Sequence, residues 1–233
     1  MRKLDFPHLY DKNTTCTLCR AHFTTKKLRS SFICIDYSDS DFYSHYRSET
    51  NNPLLYYVTV CPECGYSFSE EFSDQMSPSS RRRLTDHVSK RWTKRNFSVQ
   101  RSMDMAVSSY KLALYCAELK LEKHASKAGL NHRLAWLYRS AGDHEQEHRF
   151  LDQSLNEYIL SYMNEDYEGS KLTDMRILYL IGELSRRTGK EKQAIRYFSR
   201  IIEHQHRSPE KGIIEMAKDR WQEMRAEKAL SAQ

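Results

Sequence analysis

Two pairs of cysteines constrain this 233-residue chain more than any other feature: Cys16-Thr-Leu-Cys19 and Cys61-Pro-Glu-Cys64-Gly65. Each pair has the two-residue spacing at which a tight turn presents two sulfurs to one ion, and four thiolates are the ligand set of structural zinc sites. The glycine after the second pair allows its turn to close with a positive φ. We therefore predict that Cys16, Cys19, Cys61 and Cys64 bind one structural Zn²⁺.

A redox dithiol is the alternative function of a CxxC pair, but that motif belongs at a strand-to-helix junction in a βαβ pattern, which neither pair has. The 41 residues between Cys19 and Cys61 are many for a compact zinc ribbon. An inserted strand and loop accommodate them at modest entropic cost, and we predict a long loop over residues 37–53. Cys34 and Cys116 have no partner at this spacing and are predicted to be spare thiols.

The sequence gives no sign of export or of membrane insertion. Its first residues lack the apolar core of a signal peptide, and no later run approaches the roughly 20 apolar residues that cross a bilayer. We therefore expect a soluble cytoplasmic protein with no membrane partner, in which the six cysteines do not form a disulfide framework.

Residues 79–101 hold eight Lys and Arg against one acidic residue, which accounts for the net charge of +6 of the whole chain. Within this basic segment Leu84, Val88 and Trp92 recur at helical spacing, so we predict a helix over 81–95 whose apolar stripe packs on the protein. Two functions remain open for it: a solvated linker helix, or a helix that binds nucleic acid or an acidic partner.

From residue 102 onward every segment has helical periodicity. Two helical hairpins are predicted, 126–140 with 143–163 around Gly142, and 170–188 with 191–206 around Gly189. In the second hairpin Gly182, Ala194 and Phe198 stand where a tetratricopeptide-like pair has its small and aromatic residues. Glu147 replaces the corresponding small residue of the first hairpin, and the turn glycines are 47 residues apart, so the repeat is irregular.

A row of arginine and aromatic residues is predicted to line the concave side of these hairpins. The row consists of His132, Trp136, Arg139, Arg176, Tyr179, Arg186 and Arg187. Guanidinium groups pair bidentately with carboxylates, and aromatic rings supply contact area at low entropic cost, so we predict an acidic peptide or protein tail as the ligand. The alternative is that Trp136 and Tyr179 are packed between helices.

Residues 144–148 read His-Glu-Gln-Glu-His, formally the HExxH pattern of zinc proteases. The pattern opens a predicted helix just after a turn, among charged residues, and no third ligand follows at a recognisable spacing. We interpret it as a solvated helix start. The sequence contains no nucleophile–base pair, phosphate-binding glycine loop or open metal site, and we expect no enzymatic activity.

Short motifs over nearly the whole chain carry a resemblance to a known family. They are Leu9-Tyr-Asp-Lys12 before the first cysteine pair, Lys27-Leu-Arg-Ser-Ser31, Asn52-Pro-Leu-Leu-Tyr56, Cys61-Pro-Glu-Cys64-Gly65-Tyr66, Tyr110-Lys-Leu-Ala-Leu114, Leu134-Ala-Trp-Leu-Tyr-Arg139 and Tyr179-Leu-Ile-Gly-Glu183. In this combination the chain resembles the bacterial family called domain of unknown function 2225. The resemblance implies a bacterial cytosolic protein with an N-terminal thiol-rich module and a helical repeat module, and it supplies no activity.

Together these patterns predict an α+β protein. We expect a zinc-ribbon-like β module over 1–75, a basic linker helix over 76–101 and a tetratricopeptide-like helical domain over 102–233. The expected function is that of a non-enzymatic scaffold whose helical groove binds a protein partner. The alternative is a nucleic-acid-associated protein that uses the basic segment beside the zinc module.

Overall fold

The computed structural model describes residues 7–170, 172–205 and 208–231; residues 1–6, 171, 206–207 and 232–233 of the predicted domains lie outside this description. Its contacts define two compact units. Unit 1 comprises the described part of Met1–Asp39 together with Ser44–Glu122, and unit 2 comprises Ser40–Tyr43 with the described part of Lys123–Gln233. The predicted mixed α+β class is confirmed, because short hairpins with the four cysteines come first and helices follow.

Three two-stranded antiparallel hairpins form the β part of unit 1. They are β1 (Leu9–Thr15) with β2 (His22–Leu28), β3 (Ile35–Ser38) with β4 (Ser44–Tyr46), and β5 (Thr59–Val60) with β6 (Ser67–Phe68). The first and third hairpins each turn around one cysteine pair. Residues 37–38 and 44–46 of the second hairpin lie in the stretch 37–53 that was predicted to be a loop, and the prediction was wrong for these residues.

Two helices complete the core of unit 1, α1 (Pro78–His87) and α2 (Met103–Lys120). Ser77 caps helix α1: its hydroxyl accepts a hydrogen bond from the backbone N–H of Ser80, and Pro78 fills the first helical position. The helix predicted over 81–95 ends at His87 and continues only as a short 3₁₀ turn over Ser89–Arg91. Leu84 and Val88 are buried, as expected for the predicted stripe.

Helix α2 belongs to unit 1, although the sequence placed it with the helical domain of residues 102–233. The division between the units falls after Glu122 rather than before Ser102. The reason is the apolar face of α2: Cys116 lies in the same buried cluster as Leu84 and Tyr66. At the C-terminal end of α2, Lys120 and Glu122 form a buried ion pair, and Glu122 Oε2 accepts a hydrogen bond from the backbone N–H of Ser73 at 3.1 Å.

Unit 2 contains five helices among its described residues. They are α3 (His124–Ser140), α4 (His144–Asn164), α5 (Asp174–Arg187), α6 (Glu191–Glu203) and α7 (Lys211–Ser231). Each packs on the next along the chain. Close approach of α5 and α6 depends on Gly182, where an added Cβ would come within 2.7 Å of the Phe198 ring. The tetratricopeptide-like assignment of these helices stays a prediction.

None of the helices in the described part of the chain has an apolar stretch long enough to cross a membrane.

Candidate functional site

The four predicted metal ligands converge in unit 1. The sulfurs of Cys16, Cys19, Cys61 and Cys64 all lie within 4.8 Å of one another, with Cys16–Cys64 and Cys19–Cys61 separations of 3.6 Å each. A tetrahedral zinc with bonds of about 2.3 Å holds its sulfurs about 3.8 Å apart. All four cysteines are free thiols, and three are buried while Cys19 is exposed. This cluster could therefore hold a metal ion.

Two turns of the same design bring these sulfurs together. In the first, the Arg20 N–H donates to the Cys16 carbonyl and the Cys16 N–H donates to the Ala21 carbonyl, both at 2.9 Å. In the second, Gly65 and Cys61 make the equivalent two bonds, the latter to Tyr66. The residue after the second cysteine is left-handed in both turns, with φ of 65° at Arg20 and 73° at Gly65. The hairpin strands thus aim each cysteine pair at a common centre.

Hydrogen bonding among the thiols polarises the cluster. Bonds from the thiols of Cys16 and Cys64 lower the pKa of Cys61 to about 2, and backbone N–H groups of the turn act in the same direction. The bond with Cys61 is the main cause that raises the pKa of Cys16 to about 12, and burial adds to it. A bound cation would favour the thiolate form of all four sulfurs.

Two side chains of the basic segment donate hydrogen bonds to backbone carbonyls of the two cysteine turns. Arg81 donates from Nη1 to the Leu18 carbonyl at 2.5 Å and from Nη2 to the Thr17 carbonyl at 3.2 Å, both inside the first turn. Trp92 donates from Nε1 to the Pro62 carbonyl at 2.9 Å, inside the second turn. Such bonds to the residues between the ligands fix the orientation of the sulfurs. The sequence indicated a docked stripe but not these bonds.

The ring of Trp92 explains why the second turn needs glycine. A Cβ on Gly65 would lie 2.4 Å from ring carbons of Trp92, whereas Arg20 occupies the equivalent position of the first turn despite its positive φ. We expect Gly65→Ala to lower the free energy of unfolding of unit 1 by about 3 kcal/mol, the sum of left-handed strain and overpacking. Amide hydrogen exchange of unit 1, followed by mass spectrometry, measures this loss.

The matched control for this substitution is Gly142→Ala, because Gly142 has the same φ of 73° with nothing within 4 Å of its added Cβ. The control should destabilise unit 2 by about 1 kcal/mol, the left-handed strain alone. Equal losses at the two glycines would show that the Trp92 ring imposes no constraint.

The other two cysteines lie outside the cluster. Cys116 is fully buried, accepts a hydrogen bond from the Ser67 N–H at 3.4 Å, and has its pKa raised to about 12 by burial. Cys34 is exposed. The His-Glu-Gln-Glu-His motif opens α4, and both of its histidines are exposed. In the described part of the chain the four cysteines are the one group of three or more potential metal ligands that comes together.

The predicted groove residues of unit 2 surround a segment of the chain itself, Ser40–Tyr43, hereafter segment 40–43. Asp41 is fully buried there. Arg139 binds its carboxylate bidentately at 3.0 and 2.7 Å, and Trp136 Nε1 donates to Oδ2 at 3.1 Å. His132 Nε2 lies 3.4 Å and Arg187 Nη2 lies 3.5 Å from the same carboxylate. We call this arrangement the Asp41 site.

The remaining groove residues also meet segment 40–43. Arg176 lies over the Phe42 ring at 4.6 Å, and the buried Tyr179 donates its hydroxyl to the Ser40 carbonyl at 2.8 Å. Arg186 acts indirectly, through bonds to the buried Glu183, which accepts a hydrogen bond from Ser40 Oγ at 2.6 Å. The sequence did not indicate Asp41 or Ser40 as site residues, because no local pattern marks them.

Much of the charge in the basic segment is used within unit 1. Arg81, Arg83 and Arg101 donate to backbone carbonyls, while Lys90 and Lys94 form exposed ion pairs with Asp86 and Glu63. Arg101 is buried, and burial lowers its pKa to about 10. The exposed arginines Arg82, Arg91 and Arg95 remain for an external anion, and nucleic-acid binding stays a prediction.

Fold and site together define a class of protein, a mixed α+β chain in which two cysteine turns converge on one centre and helical hairpins follow. The chain belongs to the family described as an uncharacterized protein conserved in bacteria (DUF2225), whose model matches residues 9–224. The predicted family membership is thereby confirmed. Comparison with curated proteins gives no match, and comparison with solved structures gives none either.

Proposed function

We propose that this chain is a non-enzymatic interaction protein, in which a structural zinc ion holds unit 1 together and a groove of unit 2 binds a protein partner. The observation that carries the proposal is the Asp41 site. A fully buried carboxylate is bound there by Arg139, Trp136, His132 and Arg187, all of which come from α3 and α5. Such a surface recognises a peptide carboxylate through paired guanidinium and ring N–H groups.

Zinc is the metal we assign to the cysteine cluster. Four thiolates in a tetrahedral arrangement suit Zn²⁺, and a set of four protein ligands leaves no position open for a substrate. The bonds from Arg81 and Trp92 to the cysteine turns support a structural role, because they fix the turns rather than open them.

The outer edge of the groove offers a test that leaves the Asp41 site intact. Arg176 is exposed and lies 4.6 Å over the Phe42 ring, so Arg176→Glu reverses one charge at this edge without removing a bond to Asp41. We expect the variant to retain roughly fivefold less of an acidic partner, which corresponds to about 1 kcal/mol for a partly exposed charge. Quantitative mass spectrometry of proteins captured from a bacterial lysate measures the loss.

The matched control is Arg196→Glu, because Arg196 is also exposed and also lies over an aromatic ring, that of Tyr197 at 5.3 Å, on α6. It should leave the captured proteins unchanged. Equal capture of partner proteins by the wild type and by Arg176→Glu would show that the groove does not bind the partner. Equal losses of captured protein with Arg176→Glu and Arg196→Glu would show the same.

A further inference from the structure

We propose that segment 40–43 is a built-in, displaceable occupant of a peptide site, and that the external partner carries an aspartate followed by aromatic residues. This inference rests on the proposed function and names the ligand of its groove. The groove would therefore be closed by the chain itself until a competing peptide takes the place of segment 40–43.

The strongest contacts of the site are made with the carboxylate of the aspartate. The Asp41 carboxylate receives two bonds from Arg139 and one from Trp136, all from residues more than 90 positions away in the sequence. Fully burying a carboxylate is unfavourable unless charged and polar donors surround it, so the pocket is specific for a negative group of this size. A peptide with asparagine at this position loses the charge-assisted part of these bonds.

The residue before the aspartate is recognised through hydrogen bonds to its side-chain hydroxyl and to its backbone carbonyl. Ser40 Oγ donates to Glu183 Oε1 at 2.6 Å and accepts from Arg187 Nη2 at 3.1 Å. The Ser40 carbonyl accepts from the Tyr179 hydroxyl at 2.8 Å. This pattern of one donor and two acceptors fits serine or threonine, since both provide a hydroxyl on Cβ.

Two aromatic side chains follow the aspartate, and each has a ring and a guanidinium beside it. Phe42 lies 5.5 Å from the Tyr179 ring and 4.6 Å from the Arg176 guanidinium. Tyr43 is buried, 6.0 Å from the Trp136 ring and 5.4 Å from the Arg139 guanidinium. The preferred ligand is therefore a peptide with the order Ser or Thr, Asp, aromatic, aromatic.

Three features make the bound segment exchangeable. Phe42 has a φ of 67°, a conformation that aromatic residues rarely adopt, so the chain's own segment is held with strain that a free peptide need not carry. Segment 40–43 connects β3 with β4, and β3 is exposed along its whole length. An isolated two-stranded hairpin is marginally stable in water, and little structure is lost when it moves.

The third feature is that the empty groove would not leave its arginines unpaired. Arg139 also donates from Nε to Glu147 Oε1 at 2.6 Å, and Arg187 donates from Nε to Glu183 Oε1 at 2.7 Å. Both carboxylates stay with the helices when segment 40–43 leaves. Glu147 stands where a regular repeat has a small side chain, and in this groove its carboxylate pairs with Arg139.

A labelled peptide with the sequence of residues 37–45, Tyr-Ser-Asp-Ser-Asp-Phe-Tyr-Ser-His, is the probe. Its affinity is measured by fluorescence anisotropy on the full chain and on a vacated variant, Asp41→Ala with Phe42→Ala. The wild-type segment competes at the millimolar effective concentration of a tethered ligand. We expect the vacated variant to bind at least about tenfold more tightly than the wild type.

Two controls define the specificity of that binding. A probe with asparagine in place of the aspartate at position 41 should bind the vacated variant about tenfold more weakly, and adding Arg139→Ala to the vacated variant should abolish binding. Circular dichroism establishes that each variant is folded. Should the double variant fail to fold, Phe42→Ala alone, which keeps the Asp41 bonds, should still bind the probe more tightly than the wild type.

The inference is overturned if a folded vacated variant binds both probes equally or binds neither. It is also overturned if the vacated variant binds an intact second copy of the chain but not the free probe, because the occupant would then be another copy. Loss of capture by Arg176→Glu without probe binding would leave the proposed function standing and reject only the displaceable segment. Probe binding without an effect of Arg176→Glu on capture would reject the proposed function instead.

Discussion

Replacing Cys61 with serine should remove the bound metal and unfold unit 1 while unit 2 stays folded. Metal analysis should find one zinc per wild-type chain and close to none in the variant, because a Cys₄ site rarely keeps its ion with three thiolates. Structural zinc in small domains contributes about 10–16 kcal/mol of apparent binding energy, which is then folding energy. The loss should therefore exceed what the apolar core of unit 1 can offset.

Hydrogen exchange measured by mass spectrometry locates the effect. Amides of β1, β2, β5, β6 and α1 should lose protection, because these elements form or contact the two cysteine turns. Amides of α3–α6 should keep theirs, since these helices belong to unit 2. A chelator added to the wild type should produce the same pattern.

Two other cysteines provide matched controls for the Cys61→Ser variant. Cys34→Ser should change neither zinc content nor exchange, because Cys34 is exposed and outside the cluster. Cys116→Ser should destabilise unit 1 by burying a hydroxyl, yet it should retain the zinc. If Cys61→Ser keeps a full equivalent of zinc, or if the chelator leaves exchange unchanged, the structural metal site is rejected.

The convergence of the four cysteines could be predicted from the sequence because its signal is local. A two-residue spacing within each pair fixes a turn. One long-range contact between the two turns then brings the four sulfurs within 4.8 Å of one another. The grouping of α2 could not be predicted in this way. Its helical period marks an apolar face but not the partner of that face, and the thiol of Cys116 packs with the cysteine turns rather than with the later helices.

The sequence indicated the seven groove residues, but it did not indicate the segment that contacts them. Their spacing on α3 and α5 indicated a surface suited to a carboxylate. Four of the seven, His132, Trp136, Arg139 and Arg187, lie around the Asp41 carboxylate, while Arg176 and Tyr179 contact its neighbours in segment 40–43. The segment that supplies this carboxylate is four residues long and has neither period nor motif. Its contacts span 91 to 147 residues of sequence, and no local propensity encodes a pairing of that range.

The second large effect should come from Asp41→Asn. The substitution leaves His132, Arg139 and Arg187 around a neutral amide, and removal of one partner of a buried ion pair costs about 3 kcal/mol or more. We expect the free energy of unfolding of unit 2 to fall by about 3 kcal/mol at pH 7. In a Trp92→Phe background both remaining tryptophans, Trp136 and Trp221, lie in unit 2, so urea unfolding followed by fluorescence reports this unit.

The effect of Asp41→Asn should shrink in acid. Burial alone would raise the pKa of Asp41, but hydrogen bonds from His132 and Arg139 and the charge of Arg187 outweigh it and hold the pKa well below its usual range. The unfolded aspartate takes up a proton near pH 3.9 while the folded one does not, so the wild type loses this stabilisation as the pH falls below about 4.5. The variant has no such stabilisation to lose.

The titration of His132 must be removed from this comparison, because burial lowers the pKa of His132 and the contact with Asp41 partly restores it. Both proteins therefore carry His132→Gln, whose amide can still donate to the carboxylate but does not titrate. Glu183 has its pKa lowered as well, mainly because the Arg186 contacts outweigh its burial, and it titrates in both proteins. The difference between the two proteins should be constant from pH 7 to about 5 and should narrow from there to pH 3.

The control in the same unit is Asp152→Asn, which removes a half-exposed ion pair with Lys190. Its cost should stay below about 1 kcal/mol at pH 7, because solvent screens such pairs. A loss at Asp41 no larger than this would mean that the buried carboxylate is not what holds segment 40–43 in the groove. A difference that persists unchanged to pH 3 would mean that the Asp41 carboxyl has the same pKa in the folded and in the unfolded protein, contrary to the guanidinium pairing on which both the groove and its proposed ligand depend.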